Sequence, residues 1–213
     1  MKTRYKTRKL FCLGLVFVLI FSTITCAYAS SEEVFQPDGN GPKPTKYVIR
    51  SRMEMVVTGG RVLGYDMASY FLEHSLVDSP TDLSYANGST YSNQIKNSAE
   101  YKSILSGIKS ALRNTTKTTY STSDSTILNS TTELHLALNK VNYTVSATKS
   151  GGKWSITIVF SDIYNFEYAE WGSYSNLSGT AATALNNYGV YAMEEGAVVA
   201  FDISIAVTDT YSV

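Results

Sequence analysis

Between residues 161 and 171 the chain reads SDIYNFEYAEW, which sets the carboxylates of Asp162 and Glu167 around the phenol of Tyr164 and the amide of Asn165. Paired carboxylates can hold a divalent cation through oxygen or move a proton as acid and base, and a nearby tyrosine can orient a substrate oxygen. Placement matters as much as residue type. Trp154, Ile156, Ile158 and Phe160 alternate up to this point as one face of a β-strand. Strand ends, and the loops that leave them, are where a rigid scaffold presents reactive groups. Extending the alternation puts Asp162, Tyr164 and Phe166 on the apolar side, where a carboxylate must be paired, metal-bound or hydrogen-bonded. Two readings stand. Asp162 and Glu167 serve as metal or acid–base carboxylates with Tyr164 orienting the substrate, or Asp162 answers backbone donors while Tyr164 and Phe166 pack.

A different chemistry is written beside it. Tyr168, Trp171 and Tyr174 follow at once, in a chain with 16 tyrosines, and together with Asn165 they would make a recognition surface for a glycan or another protein. Tyrosine supplies rigid contact area with a polar tip. The same rings would equally well cover the end of a core.

The elements that must position these groups are read from periodicity. YVIRSRMEMVV alternates Met53, Met55 and Val57, with Ile49, against Arg50, Arg52 and Glu54, which predicts a first strand. Met67, Tyr70, Phe71 and His74, widened by Leu72 and Leu76, predict an amphipathic helix that ends before Pro80 and the turn-rich SPTDLSYANGS. Tyr101, Ile104, Leu105, Ile108 and Leu112 predict a second helix over 98–112, with Lys102, Lys109 and Arg113 off its apolar stripe. NTTKTTYSTSDST is too polar to bury and reads as a loop or an edge strand. Ser130 and Glu133 have capping-box spacing, although Leu134, Leu136 and Leu138 also alternate as a strand would.

Val141, Tyr143, Val145 and Ala147, the turn KSGGK, and Trp154 to Phe160 predict a β-hairpin. Leu177, Ala181, Ala184, Leu185 and Tyr188 predict a helix closed by Gly189, and Val199, Phe201, Ile203, Ile205 and Val207 a last strand paired with the hairpin. The order implies an α+β fold over residues 47–213: a single domain whose largely antiparallel twisted sheet, or half-barrel, carries helices on one face.

A tryptophan-bearing strand, then Asp162-Ile163-Tyr164-Asn165, a helix and a last strand resembles the D-x-Y-D region of the colicin M family and related bacterial polymorphic-toxin modules. The resemblance covers roughly residues 130–205. It implies a metal-assisted phosphodiesterase acting on the lipid-linked peptidoglycan precursor, with a divalent metal, usually Mg²⁺, and with Asp162 and Tyr164 at the first two fixed motif positions. Asn165 stands where the family has its second aspartate, and EYAEWG stands where a His-Arg pair follows. Those departures remove one hard-cation ligand and one proton shuttle.

The two histidines add little. His74 falls on an apolar helix face, and His135 is flanked by leucines with no second ligand at metal spacing. No HExxH, P-loop, GxSxG or dinucleotide fingerprint occurs.

Compartment follows from the first residues. MKTRYKTRK is basic, LFCLGLVFVLIFST is uncharged and apolar, and Ala27-Tyr28-Ala29 precedes Ser30, the pattern of a secretory signal peptide over 1–29. The apolar run is short of the ~20 residues of a retained span, and acylation at Cys26 is the other processing route. Cleavage removes Lys2, Arg4, Lys6, Arg8 and Lys9, five of 18 basic side chains and none of the 18 acidic ones, leaving a net charge of −5. It also removes both cysteines, Cys12 and Cys26, so the exported chain must be held by its core. With no further basic run after the leader, nucleic acid is not expected as a partner. After a flexible Pro- and Gly-rich lead-in over 30–46, the chain is expected to act as a bacterial secreted or envelope protein. Its partner would be a cell-envelope component or an extracellular protein or glycan, whether it hydrolyses a phosphoester or only binds.

Overall fold

The computed structural model describes residues 44–168 and 177–212, and side chains for all of these but 177–182. The signal-peptide region and most of the lead-in lie outside the described residues. The fold is α+β and resolves into two compact units, one of helices and one built on a sheet.

The helical unit takes residues up to Pro80 and Asn165–Val199. Its first element, α1 (Lys46–Val62), occupies the segment whose alternation suggested a strand. Ile49, Met53 and Val57 are buried at intervals of four, whereas Met55, which the two-residue period needs inside, is 44% exposed. A spacing of four satisfies both periods, and the missing apolar residue at Ser51 was the discriminating sign. Leu63 ends α1 and Gly64, at φ +82°, takes the left-handed turn that lets α2 (Asp66–Ser75) fold back. Asp78 accepts from Lys46 Nζ at 2.8 Å and Arg50 at 2.7 Å, and both cations hold its carboxyl below the usual range. Arg50 also reaches the carbonyl of Ala197 at 2.9 Å, beyond the end of the unit's third helix. That helix runs Leu177–Glu194 in the present residues. It does not close at Gly189; Gly196, at φ +66°, supplies the terminal turn instead.

The sheet unit takes Thr81–Tyr164 and Ala200–Val213. Its five strands are β1 (Leu83–Tyr85), β2 (Thr119–Ile127), β3 (Lys140–Ser150), β4 (Lys153–Tyr164) and β5 (Phe201–Ser212), in the order β1-β5-β4-β3-β2. All pairings are antiparallel except β1 with β5. The hairpin forms as expected, with Ile158 opposite Val145 on one side and Val207 on the other. Trp154, Ile156, Ile158 and Phe160 are all at most 1% exposed, and together with Ile203, Ile205 and Val207 they make the inner face of the sheet.

Two short elements escaped the periodicity reading. β1 is three residues long, and its pairing is prolonged by side chains: Asp82 accepts from Asp202 N–H at 3.0 Å and Asn87 from Thr208 N–H at 2.9 Å. Side-chain acceptors thus serve β5 donors where strand backbone runs out. The helix Thr90–Asn97, numbered α3 for the sheet unit and here following α1 and α2, starts at a Ser89 cap and buries Ser92 and Ile95. Ser98 ends it and caps α4 (Ala99–Arg113), whose stripe of Tyr101, Leu105, Ile108 and Leu112 is buried as expected.

The short α5 (Thr132–Ala137) resolves the ambiguous leucine segment as helix. Thr131, not Ser130, is its cap; Ser130 donates its hydroxyl to Glu100, which also accepts from the N–H groups of Asn129 and Ser130. Burial pushes the Glu100 carboxyl up, but these hydrogen bonds outweigh it and hold it below its ordinary value. The helix Leu177–Glu194 of the other unit is α6.

Because β4 alternates so sharply, the two faces respond differently to truncation. Ile158→Ala is expected to cost about 2–5 kcal/mol, and Ser155→Ala, on the exposed face, less than about 0.5 kcal/mol. Urea midpoints of the two variants check this.

Candidate functional site

The sequence motif is divided between the units: Asp162 and Tyr164 close β4, and Asn165, Glu167 and Tyr168 open the return into the helical unit. Strand register runs unbroken to the end, Asp162 opposite Ile203 and Tyr164 opposite Phe201. Asp162 therefore keeps the inward phase of Phe160, as expected, and is half-buried. Tyr164 is a core residue. It is 7% exposed and stacks on Phe201 with centroids 5.2 Å apart and planes 21° from parallel. Burial pushes its phenol well above the ordinary 10.0, so it keeps its proton throughout the physiological range.

The alternation does not reach Phe166. The strand stops at Tyr164, and Phe166 turns to α6, where its ring lies against Gly189 so closely that a Cβ there would overlap it. This close approach, not helix termination, is what the glycine provides. Phe166 N–H also lies 3.2 Å from the Met193 sulfur, and Asn186 donates its side-chain amide to the Glu167 carbonyl. A ring and two hydrogen bonds thus seat the backbone of 165–168 along α6. The side chains of Asn165, Glu167 and Tyr168 remain exposed, Tyr168 at 67%. Trp171 and Tyr174 lie outside the described residues.

A hard divalent cation such as Mg²⁺ takes a shell of oxygen ligands. Among the described residues no group of three His, Cys, Asp or Glu side chains comes together, and the described donors do not by themselves fit a resident ion. His74 is half-buried with its ring stacked on Tyr70, centroids 6.0 Å apart, and His135 is half-buried on α5. Neither adds to the motif a proton shuttle that the structure describes.

Two shallow cavities lie elsewhere in the sheet unit. One, of about 280 Å³, is bordered by Lys102, Lys109, Arg113 and Tyr211; the other, of about 390 Å³, by Lys96, Ser155, Thr157 and Asp209. The sequence places these α4 cations off the helix's apolar stripe and gives them no task. The signal available was their spacing, seven and then four residues, which stacks them on one side of a helix.

No protein-family model matches the chain, and no curated protein matches it. Among solved structures, the chain is similar to PaeM, a colicin M-like bacteriocin produced by Pseudomonas aeruginosa, at 10% identity and a TM-score of 0.33, over 83% of this chain and 61% of that one. The chain thus spans about three fifths of the bacteriocin's length. No helix among the described residues is long and apolar enough to cross a membrane.

Two measurements probe this geometry. A helix-interior Gly→Ala change ordinarily stabilises by about 1 kcal/mol; at Gly189 the sign is expected to reverse, because displacing the Phe166 ring costs about 1–3 kcal/mol, and thermal melts of Gly189→Ala check it. For Tyr164, the folded pKa lies above the unfolded value, so the stability it contributes is complete below about pH 10 and is lost as the pH rises through the folded pKa. Tyr164→Phe is expected to flatten that alkaline loss by up to about 1.4 kcal/mol per pH unit, read from denaturant midpoints between pH 9 and 11.

Proposed function

We propose that this chain is an exported bacterial protein that acts at the cell envelope by binding, with Asn165, Glu167 and Tyr168 as part of its recognition surface. The observation that carries this reading is the seating of 165–168 along α6, with the backbone held and three chemically diverse side chains turned to solvent. A pre-set strip loses little entropy on binding, and an exposed tyrosine beside an amide and a carboxylate suits a glycan or a protein surface. The leader supports export, and the acidic balance that remains after it disfavours nucleic acid.

The resemblance to the colicin M family favours hydrolysis of an envelope phosphoester at Asp162 and Glu167. One feature suits that reading: Asp162 is a carboxylate at an inward strand position between Phe160 and Tyr164. Against it, the motif's phenol is committed to core stacking and the described donors do not make a cation shell.

The chain from Ser30 onward, directed to the periplasm of a test bacterium, is expected to leave growth normal, as is Asp162→Asn. The purified chain should be retained saturably on cell walls isolated from that bacterium, with Tyr168→Ala weakening retention about tenfold, the scale of one anchor side chain. Lysis by the parent that Asp162→Asn abolishes would establish the hydrolase reading in place of this one. Retention unchanged in Tyr168→Ala would remove the strip from the binding surface.

A further inference from the structure

The solvent side of α4 carries Lys102, Ser106, Lys109, Ser110 and Arg113, a stripe set by the helical period, and Tyr211 of β5 closes it into the cavity of about 280 Å³. The lining holds three cations and no acid. Glu100, the one acidic residue of α4, is taken up by the Asn129–Ser130 turn. Asp209 lies behind the wall, 3.9 Å from both Lys109 and Lys96, and the buried Tyr101 phenol faces it. It answers part of the charge of two lysines and leaves Lys102 and Arg113 unneutralised by any ion pair among the described residues.

The cations are also held in place. Arg113 Nε donates to Tyr211 Oη at 3.1 Å, which fixes the plane of the guanidinium, and Lys109 Nζ lies 5.9 Å from the Tyr211 ring centre. Lys102 Nζ is tied to the Asn97 carbonyl at 2.9 Å. A solubilising lysine face would leave its side chains free and mixed with acids. Here an oriented guanidinium fork, two ammonium groups and two hydroxyls border one concavity, the donor set that recognises tetrahedral oxyanions.

We propose that this cleft binds a phosphate group of a small phosphate ester or of a phospholipid head group. The guanidinium of Arg113 takes two phosphate oxygens, Lys109 and Lys102 supply charge, and the Ser106 hydroxyl donates at the rim, while the Ser110 hydroxyl donates to the Ser106 carbonyl at 3.0 Å. The site belongs wholly to the sheet unit and does not depend on the 165–168 strip.

The test uses the chain from Ser30 onward and two probes, inorganic phosphate and vesicles of phosphatidylcholine with or without phosphatidylglycerol. Saturable amide shifts on α4 with phosphate, or sedimentation with the phosphatidylglycerol vesicles alone, is expected. Whichever probe binds identifies a soluble or a lipid-borne source. Lys102→Gln with Lys109→Gln should weaken binding at least tenfold and Arg113→Gln likewise, while Lys153→Gln, at the start of β4, should leave it unchanged. Lys102→Gln alone, at an exposed side chain whose ammonium donates to the Asn97 carbonyl, guards against a folding defect and should weaken binding two- to fivefold. Binding should fall as salt rises. Binding of neither probe, or binding insensitive to the α4 substitutions, overturns the proposal.

Discussion

The sheet unit depends on the inner face of β4. Trp154, Ile156, Ile158 and Phe160 form an unbroken row of side chains with almost no exposure, on the strand that pairs with β3 on one edge and with β5 on the other. Each such side chain contributes about 1.5–3 kcal/mol when buried, and because the pleat has a period of two, a slip of one residue would turn the whole row to solvent. Register is thereby fixed along the full strand, and the fold needs no disulfide to fix it. Rings from beyond the strand complete the packing: Phe160 lies 6.4 Å from Tyr101 of α4 and 5.9 Å from Tyr143 of β3, measured between centroids. The opposite face carries Ser155, Thr157, Val159 and Ser161, so the sheet has one dry side and one mixed side.

Fixed register also determines what is displayed at the ends of the row. At one end the inward phase continues past Phe160 into Asp162 and Tyr164, facing Ile203 and Phe201 of β5. At the other end Trp154 pairs with Tyr211 and Ile156 with Asp209, so the inward positions of β5 become polar where α4 presents its cations. The inward carboxylate of Asp162 and the cation-lined cleft beside Tyr211 are thus at opposite termini of one hydrophobic row. The polar residues are tolerated there because each end is open enough for a charge to find water or a partner, which the middle of the row is not.

How much of this was legible follows from how many residues vote in each element. β3, β4, β5 and α4 carry four or more apolar residues in one phase, and all appear where the periodicity put them. α1 failed because Ile49, Met53 and Val57 agree with both periods, and only burial shows that Met55 is outside. β1 and α3 failed for want of votes: β1 has three residues and leans on Asp82 and Asn87, and α3 leans on Ile95 with two serine caps. Glycines and caps were legible as types but not as tasks. Gly189 serves Phe166 rather than a helix end, and Ser130 serves Glu100 rather than α5, because both tasks are set by partners more than 20 positions away in sequence. At the motif, the inward phase of Asp162 was readable and the exit of Phe166 toward α6 was not, since nothing in SDIYNFEYAEW marks where pairing with β5 stops.

The distribution of charge carries the argument one step further. A chain that would be acidic after loss of its leader gains nothing in solubility from gathering Lys102, Lys109 and Arg113 on one helix face, and the like charges of Lys109 and Arg113, four residues apart, destabilise that helix by a few tenths of a kcal/mol. The fold adds to this tension by spending Glu100, the acid that sits nearest in sequence, on the Asn129–Ser130 turn. It relieves it in part with Asp209, set at 3.9 Å from Lys109, and equally from Lys96 of α3, rather than in close contact. Such partial neutralisation holds side chains in place while leaving net positive potential in the cleft, and an anion that enters removes the remaining repulsion as well as making its own contacts. The strain is local, small and placed beside Tyr211, at the end of the β4 row where the scaffold is most firmly registered. A rigid strand end is what allows weak repulsion to be kept as readiness for a ligand instead of being lost to side-chain rearrangement.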